Sequence, residues 1–385
     1  MTTSHAPLNG VVVISVEQAI SASYASRHLA ELGATVIKVE RPEGDFARDY
    51  DHIVNGQASF FVWANRGKQS IVLNLKDTDD LARFHAIVKG ADVVIQNLAP
   101  TAAKRLGIDG NTLREVTPSL ITCDISGYGN DGPRSNDRAY DLAIQAEAGI
   151  FSVTGNGDMS KAGISIADIS AGMYALTSIL AALVRRDRTG EGAHVDVAMI
   201  DTVAEWVAPA MYGTVYSGEQ PARTGRRHHS IAPYGTFTLS DSSTIVIAVQ
   251  NDREWQRLAS HVLNDPALAT DVELATNTGR IAHVERLELS MNVILAERNA
   301  GLIRELLAKH EITSANVNDL DAVWNHEQLR ARDRFETISI PEGSAEVLKS
   351  PFHISNWDNA TTGVPALNEH DDEAIAHIIA RGESR

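Results

Sequence analysis

The sequence is poor in cysteine and in aromatic side chains. Cys123 is the single cysteine among 385 residues, and Phe, Trp and Tyr together make up 5% of the chain. One cysteine excludes an internal disulfide framework and is usual in a reducing compartment. A cytoplasmic location is therefore expected.

Positive charge is also scarce. The chain has 34 Lys and Arg against 50 Asp and Glu, which gives a formal net charge of -16. This is the wrong sign for a protein that binds nucleic acid through its phosphates, so no nucleic-acid partner is expected. An anionic ligand would need a few local cations and backbone N–H groups to offset the unfavourable long-range field.

No apolar run in the sequence reaches the length of a membrane span. The first residues also lack a basic region that leads into an apolar stretch, which is the mark of an export signal. Neither export nor a membrane partner is expected.

Strand-like and helix-like segments alternate in the first third of the chain. Residues 11–16 and 35–40 are β-branched and apolar, and residues 22–32 between them have a helical pattern. The alternation continues with predicted strands at 70–75, 92–96 and 120–125 and predicted helices at 78–89 and 110–116. This order predicts an α/β fold with a mostly parallel sheet, covered on both faces, that binds ligands at the carboxyl ends of its strands.

The length exceeds one ordinary core, so more than one domain is expected. Residues 1–217 are predicted to form the N-terminal part of a large domain. A Gly-, Arg- and His-rich linker begins at residue 218 and leads into a smaller α+β domain that extends to 327. The remaining segment, 328–385, is loop-rich and carries a short helix near residues 372–379.

Asp168 lies between an extended apolar run and a helix predicted to begin at Ile169. Such an aspartate is commonly the N-cap of the helix, where its carboxylate accepts free backbone N–H groups. The same position also suits a nucleophile, because a helix N-terminus favours the ionised carboxylate. Sequence position alone does not separate these two interpretations.

Two further patterns indicate no cofactor. Residues 127–132 match the glycine fingerprint of dinucleotide-binding proteins, but Pro133 follows them where a helix should begin, and NAD is not expected. The neighbouring His228 and His229 have no further Cys or His at a ligand spacing, so no metal site is predicted.

Several motifs, in one order through nearly the whole chain, resemble those of the class III (CaiB/BaiF) CoA-transferases. The matching segments are 32–42, 65–71, 91–97, 126–133, 139–146, the Asp168 segment, 189–192 and 364–370. The resemblance implies a Rossmann-like large domain formed by both chain ends, with 328–385 completing it. It also implies an interlocked homodimer. Two departures are Asn368, which replaces a usual glycine, and the absence around residues 226–234 of the glycine-rich segment of formyl-CoA:oxalate enzymes, which argues against oxalate.

The same resemblance implies site residues. Asp168 would be the catalytic nucleophile, and Tyr140 and Asp141 would lie beside the acyl group. Coenzyme A, as the acyl-CoA co-substrate, would be held by five residues, which are Arg41, Leu73, Asn97, Arg105 and Arg138. Arg48 is a candidate partner for a distal carboxylate of the substrate, because arginine suits planar recognition of carboxylates, although a solvated surface charge is an equal alternative.

The expected reaction moves CoA between carboxylic acids through an aspartyl-CoA thioester. The preferred substrates are small dicarboxylates of the succinyl-CoA, mesaconate, citramalate or itaconate type, and transfer within one dicarboxylate stays open. One alternative is a 2-methylacyl-CoA racemase, which would need a histidine where this chain has Tyr140. A second alternative is a non-catalytic acyl-CoA-binding protein on the same fold.

Overall fold

The computed structural model describes residues 6–357, 362–370 and 372–384. The chain forms two compact units. Unit 1 comprises Met1–Ile150, Lys161–Pro209 and Arg330–Arg385, and unit 2 comprises Phe151–Ser160 and Ala210–Leu329. The domain limits expected at residues 217 and 327 stay a prediction. Along the chain, the two units meet instead at Pro209 and Ala210 and at Leu329 and Arg330. No shift in composition marks the short piece of unit 2 at 151–160.

As far as residue 217, each strand is separated from the next by one or more helices. The strands in chain order are β1 (Val12–Val16), β2 (Thr35–Glu40), β3 (Gln69–Val72), β4 (Val93–Gln96), β5 (Ile121–Ser126), β6 (Ala193–Ala198), β7 (Tyr234–Thr238), β8 (Thr244–Ala248), β9 (Thr313–Asn316), β10 (Phe335–Ile340) and β11 (Gly343–Leu348). The α-helices in chain order are α1 (Ser21–Glu31), α2 (Ser59–Asn65), α3 (Thr78–Lys89), α4 (Pro100–Leu106), α5 (Gly110–Val116), α6 (Asp141–Glu147), α7 (Ile150–Val153), α8 (Ile166–Thr189), α9 (Met199–Ser217), α10 (Asp252–Arg257), α11 (Pro266–Thr270), α12 (Asn277–Ala282), α13 (Val284–Glu297), α14 (Ala300–Lys309), α15 (Leu320–Trp324), α16 (Glu327–Ala331) and α17 (Asp372–Glu383).

The sheet of unit 1 has six strands in the order β3-β2-β1-β4-β5-β6, and every neighbouring pair runs parallel. The predicted α/β fold with a parallel sheet is confirmed. In this doubly wound order the chain builds outward from β1 to β3 and then crosses back to β4. A crevice for ligands therefore opens where β1 and β4 end, at the centre of the sheet.

Both faces of the sheet are buried, which explains the near-continuous apolar strands. Val13 of β1 belongs to the core that contains α1 and α8. Its neighbour Ile14 belongs to the core on the opposite face, with α3, α5 and α17. The alternation follows from the two-residue period of a strand.

Helix α8 is long and apolar enough to span a membrane by length and composition alone. Half of its most apolar window is buried inside the protein, where Ala171, Ala175 and Ile179 are fully inaccessible. Core helices share this length and composition, so α8 carries little evidence about a membrane.

Helices α1 and α8 cross closely, and Gly172 allows the contact. A Cβ atom at Gly172 would lie 2.8 Å from the carbonyl oxygen of Ser21 and 3.0 Å from Cδ1 of Tyr24. The crossing therefore fixes the first turns of α8 against the start of α1, next to the end of β1.

Residues 362–370 of the tail lie along β3. The N–H of His370 donates to the carbonyl of Ser70 at 3.0 Å, and the N–H of Val72 donates to Oδ1 of Asn368 at 2.8 Å. Asn368 has a φ of 58°, in the left-handed region that asparagine tolerates better than most residues. This conformation explains how asparagine can stand at the position where the resemblance implies a glycine.

Unit 2 has a core of its own. Its three strands pair antiparallel in the order β7-β8-β9. Trp255, Leu287, Met291 and Ile303 are fully buried beneath them. The small unit is therefore α+β in its own construction.

Candidate active site

Three cavities open in unit 1 at and near the carboxyl ends of the strands. The central cavity, about 540 Å³, is lined by Gln18, Asn97, Arg138, Tyr140, Asp141 and Asp168 among others. The strand-end cavity, about 570 Å³, is lined by Gln18, Arg41, Leu73, Leu98 and Arg105 among others. The side cavity, about 540 Å³, is lined by Phe60, Trp63, Asp141, Lys161, Ile164 and Ile169 among others.

Asp168 is the third residue of α8 and lines the central cavity. The helix begins three residues before the predicted start at Ile169, and its N-cap is Ser165, whose side chain makes no capping hydrogen bond. Asp168 is therefore not the N-cap, and that interpretation is wrong. The position in the first turn places the carboxylate on a wall of the cavity instead.

The carboxyl of Asp168 is not held ionised, contrary to the expectation from the helix N-terminus. Burial, with the neighbouring charge of Asp141, raises the pKa of Asp168 to about 7. A helix N-terminus contributes a modest stabilisation of negative charge, and here desolvation and a second carboxylate outweigh it. A carboxylate of this kind is more basic than usual and is deprotonated in about half of the molecules at neutral pH.

Asp141 supplies the acceptor at the start of α8 from a different helix. Its Oδ1 accepts the N–H of Ala167 at 2.8 Å, and its Oδ2 accepts a hydrogen bond from Nε2 of Gln145 at 2.7 Å. Gln145 also donates to the carbonyl of Ile164 and accepts the N–H of Ala162 at 2.9 Å. Asp141 and Gln145 thus fix the segment that leads into Asp168.

Tyr140 and Tyr50 bring two phenols to the central cavity. The side chain of Tyr140 is 71% exposed, at the residue before α6. Burial and the nearby carboxylates of Asp45 and Asp168 raise the pKa of Tyr50 to about 12, so its hydroxyl stays a hydrogen-bond donor. Sequence reasoning missed Tyr50.

Asn97 ties together the loops that follow β1 and β4. Its Oδ1 accepts the N–H of Gln18 at 3.0 Å, and its Nδ2 donates to the carbonyl of Gln18 at 2.8 Å and to Oγ of Ser21. Both polar atoms of the predicted CoA contact are therefore engaged within the protein. Asn97 shapes the crevice at the centre of the sheet.

The other predicted CoA residues divide between two cavities. Arg41, Leu73 and Arg105 line the strand-end cavity, and Arg138 lines the central cavity. The two cavities have Gln18 and Leu98 in common. One extended ligand can therefore contact all four residues.

Arg48 does not take the position expected for a substrate-binding arginine. Its Nη2 and Nε donate to the two oxygens of Glu40 at 2.6 and 2.9 Å, and its guanidinium lies 3.9 Å from the ring centre of Phe61. It is absent from the lining of all three cavities. Arg48 thus fixes the loop after β2, and its contact with a distal carboxylate stays a prediction.

The profile of CoA-transferase family III matches residues 8–371. The chain belongs to CoA-transferase family III. The resemblance read from its motifs is confirmed.

Relatives and solved structures agree with the family assignment. An acetyl-CoA:oxalate CoA-transferase of Acetobacter aceti is 34% identical, over 94% of this chain and 93% of that protein. A succinate–glutarate CoA-transferase of Agrobacterium fabrum is 32% identical, over 97% and 96% of the two chains. A crystal structure of a CaiB/BaiF family protein from Brucella suis, 32% identical, superposes with a TM-score of 0.87 over 97% of this chain and 99% of that one.

This family III CoA-transferase has a buried ionic cluster beneath the strand-end cavity. Oε1 of Glu17 accepts hydrogen bonds from Nζ of Lys38 at 3.2 Å and of Lys68 at 2.5 Å, and Lys38 also pairs with Asp45 at 2.8 Å. Burial and the neighbouring Lys38 lower the pKa of Lys68 to about 7. Because Glu17 precedes Gln18, the cluster anchors the loop that both cavities have in common.

Gln145 and Lys161 are further residues of this transferase that sequence reasoning did not assign. Gln145 lies four residues after Asp141 on α6, which places both side chains on one helix face, and this spacing was the available signal. For Lys161 no local pattern distinguishes a cavity residue from a surface charge.

The described residues were also compared with the arrangements that bind metal ions. Across the part of the chain that the structure describes, no group of three or more His, Cys, Asp and Glu side chains is arranged to hold a metal ion. His228 and His229 stack on each other with ring centres 4.7 Å apart.

Proposed function

We propose that this chain transfers CoA between small dicarboxylic acids and that Asp168 is the nucleophile. The observation that supports the proposal is the position of this carboxylate, with its raised pKa, on the wall of a cavity that adjoins a second cavity whose lining includes Arg41, Lys76 and Arg105. A carboxylate suits the task because its CoA ester is close in free energy to that of the substrate, so the thioester energy is kept.

The reaction begins with attack of the Asp168 carboxylate on the thioester carbonyl of the donor. The carbon–sulfur bond breaks, CoA leaves as the thiolate and a mixed anhydride forms. The thiolate then attacks the aspartyl carbonyl, which releases the donor acid as its carboxylate and leaves an aspartyl-CoA thioester. The acceptor carboxylate repeats both steps in reverse order, so the new acyl-CoA leaves, Asp168 is restored and no net proton is consumed.

CoA is placed with its nucleotide end in the strand-end cavity and its thioester in the central cavity. Arg41 and Arg105 are the arginines that line the first cavity, and Arg138 lines the second. Phosphate groups are well matched by guanidinium side chains, and such local cations are needed in a chain with a net charge of -16. The switch point between β1 and β4 is also the usual ligand position in this kind of sheet.

The substrate class is proposed from the relatives. Their names specify oxalate in one case and succinate and glutarate in the other, which are dicarboxylates of different length. The missing glycine-rich segment argued against oxalate, but the 34% identical relative keeps oxalate among the acids to be tested. Mesaconate, citramalate and itaconate belong to the same class.

A homodimer is also proposed. Apolar side chains of α9 are exposed, with Tyr212 at 58% and Tyr216 at 88% exposure, together with Trp206 and Val215. Exposed apolar groups of this kind commonly mark a protein interface. Light scattering coupled to gel filtration checks the mass, and a monomer at micromolar concentration contradicts this part of the proposal.

The decisive experiment combines a matrix of acyl-CoA donors and free acids with mass spectrometry of the protein. The expected result is exchange with dicarboxylates and a donor-dependent CoA adduct at Asp168, both lost in Asp168→Asn. Asp187→Asn, an exposed carboxylate on the same helix, is the matched control and keeps full activity. Full exchange by Asp168→Asn overturns the mechanism, and solvent deuterium incorporated at the α-carbon of a 2-methylacyl-CoA supports the racemase instead.

A further inference from the structure

The side cavity opens directly beside Asp168. It has Phe60, Asp141, Leu142 and Ser165 in common with the central cavity. Ile169, the residue after Asp168, also lines it. A group bound in the side cavity therefore adjoins the carboxylate that is proposed to attack the thioester.

The walls of the side cavity are mainly apolar. Phe60, Trp63, Leu142, Ile164 and Ile169 form them. The rings of Phe60 and Trp63 meet edge to face with centres 6.3 Å apart. Such walls suit the methylene groups of a short acyl chain.

Few polar groups reach this cavity, and most are engaged. Both oxygens of Asp141 accept hydrogen bonds within the protein, and Oγ of Ser59 donates to Asp51 at 2.7 Å. Among the lining residues that the structure describes, Lys161 is the single cation. A negatively charged group of a ligand would therefore be attracted to Lys161.

We propose that the side cavity is the acyl subsite and that the ammonium group of Lys161 binds the distal carboxylate of a dicarboxylic acyl group. This inference rests on the proposed function. CoA approaches Asp168 from the strand-end cavity, so the acyl carbons extend away from it, past Asp168 and into the side cavity. Arg41 and Arg105 at one end and Lys161 at the other then bind the two anionic ends of one acyl-CoA.

The segment that carries Lys161 is well anchored. Nζ of Lys161 donates to the carbonyl of Ala162 at 3.1 Å, and the N–H of Ala162 donates to Oε1 of Gln145 at 2.9 Å. The backbone next to Lys161 is thus held by the same glutamine that fixes Asp141. A cation beside apolar walls distinguishes a charged acyl terminus from an apolar one, which gives the site a basis for selectivity.

The test isolates the donor half-reaction, so that no acceptor acid enters the side cavity. Formation of the Asp168 adduct is followed by rapid quench and mass spectrometry with succinyl-CoA and with butyryl-CoA, which has the same chain length and lacks the distal carboxylate. The wild type is expected to prefer succinyl-CoA by about 10- to 100-fold, because binding sites built for a polar group discriminate strongly against analogues without it.

Variants assign the preference to Lys161. Lys161→Met is expected to slow the reaction of succinyl-CoA by about 10- to 100-fold and that of butyryl-CoA by less than about twofold. Lys161→Arg restores most of the rate, since it keeps the charge. Lys309→Met, an exposed lysine of unit 2, is the control without effect. A second variant, Ile164→Glu, adds a negative charge to the cavity wall and is expected to slow succinyl-CoA more than butyryl-CoA.

Several results would contradict the assignment of the acyl subsite. Equal loss with both donors in Lys161→Met, or no loss with either, overturns the acyl subsite, as does a wild type that reacts equally with both. If the wild type gives no butyryl adduct, Lys161→Met and Lys161→Arg are compared with succinyl-CoA alone. A Lys161→Arg variant that reacts as slowly as Lys161→Met overturns the inference. If the wild type gives no adduct at Asp168 with any donor, the proposed function fails, which is a separate result.

Discussion

The carboxylate of Asp141 accepts the backbone N–H of Ala167 at 2.8 Å, one residue before Asp168. The acceptor at the start of α8 therefore comes from α6, and Asp168 is left to face the cavity. The same contact brings a second negative charge close to Asp168 and contributes to its raised pKa. One side chain thus stabilises the start of the helix and contributes to the basicity of the proposed nucleophile.

Asp141→Asn is expected to lower the pKa of Asp168. The substitution removes the charge of Asp141 and keeps an oxygen that can accept the N–H of Ala167. Burial, the larger cause, remains, so the pKa stays above its ordinary value near 4. The acidic limb of the rate profile for adduct formation should move to lower pH, and the exposed Asp131→Asn should leave it unchanged. A limb that stays in place contradicts the electrostatic link.

The rate of adduct formation is expected to rise with pH up to about 7 and then to level off. Only the deprotonated form of Asp168 attacks the thioester, so below the pKa the rate should change about tenfold per pH unit. Single-turnover rates at low acyl-CoA concentration measure this limb in the free enzyme. The phosphates of CoA also titrate, and the shift expected in Asp141→Asn identifies the limb as that of Asp168. A rate that falls with rising pH excludes Asp168 as the nucleophile.

The parallel sheet was predictable because its signals are local. Helices α3 and α5 begin and end where the sequence pattern places them, and β1 and β2 differ by one residue at most. The start of α8 was misplaced because its acceptor, Asp141, is supplied from a distant segment. The pairing of Arg48 with Glu40 was not predicted for a related reason, since it depends on the path of the loop after β2. Contacts between distant segments leave no trace in local periodicity.

Asp168→Asn is expected to stabilise the fold at alkaline pH. The folded pKa of Asp168, about 7, lies above its ordinary value near 4, so the folded state favours the protonated form. That contribution to stability is complete below about pH 4 and is lost as the pH rises through about 7. At about pH 8 the neutral variant should be more stable by roughly 1–3 kcal/mol, a range reduced for the partial exposure of the group. Thermal melts at about pH 4.5 and 8 test the sign, and an advantage confined to the lower pH contradicts it.

Gly172→Ala is expected to destabilise unit 1 although alanine favours helices. The added Cβ would lie 2.8 Å from the carbonyl of Ser21, so α1 and α8 must separate. Overpacking of this kind costs about 1–3 kcal/mol, against about 1 kcal/mol gained in helix propensity. Gly213→Ala in α9, where a Cβ meets nothing within 4 Å, is the matched control and should be neutral or stabilising. If chemical denaturation shows equal stability changes for the two variants, α1 and α8 do not cross closely at Gly172.

Glu17→Gln is expected to cost roughly 3–5 kcal/mol of stability at about pH 6, where both buried lysines are charged, because it removes their negative partner. Although burial opposes it, the pair of lysines holds the pKa of Glu17 well below its ordinary value, so the wild-type carboxylate is ionised. After substitution Lys38 keeps Asp45 at 2.8 Å, whereas Lys68 keeps only the neutral oxygens of Ser23 and Asn65.

Lys68 should therefore carry most of the penalty of Glu17→Gln, and its titration gives the sign of the pH dependence. Its folded pKa, about 7 in the wild type, is below its ordinary value near 10, so neutral Lys68 is favoured in the fold and the penalty shrinks as the pH rises from about 6 to 9.

The double variant with Lys68→Met should recover part of the loss, since it removes the unpaired charge. Glu115→Gln, an exposed carboxylate of the same unit, is the control and should change stability by less than about 0.5 kcal/mol. If the loss of stability does not depend on pH and Lys68→Met does not reduce it, the loss arises from packing. The ionic explanation is then wrong.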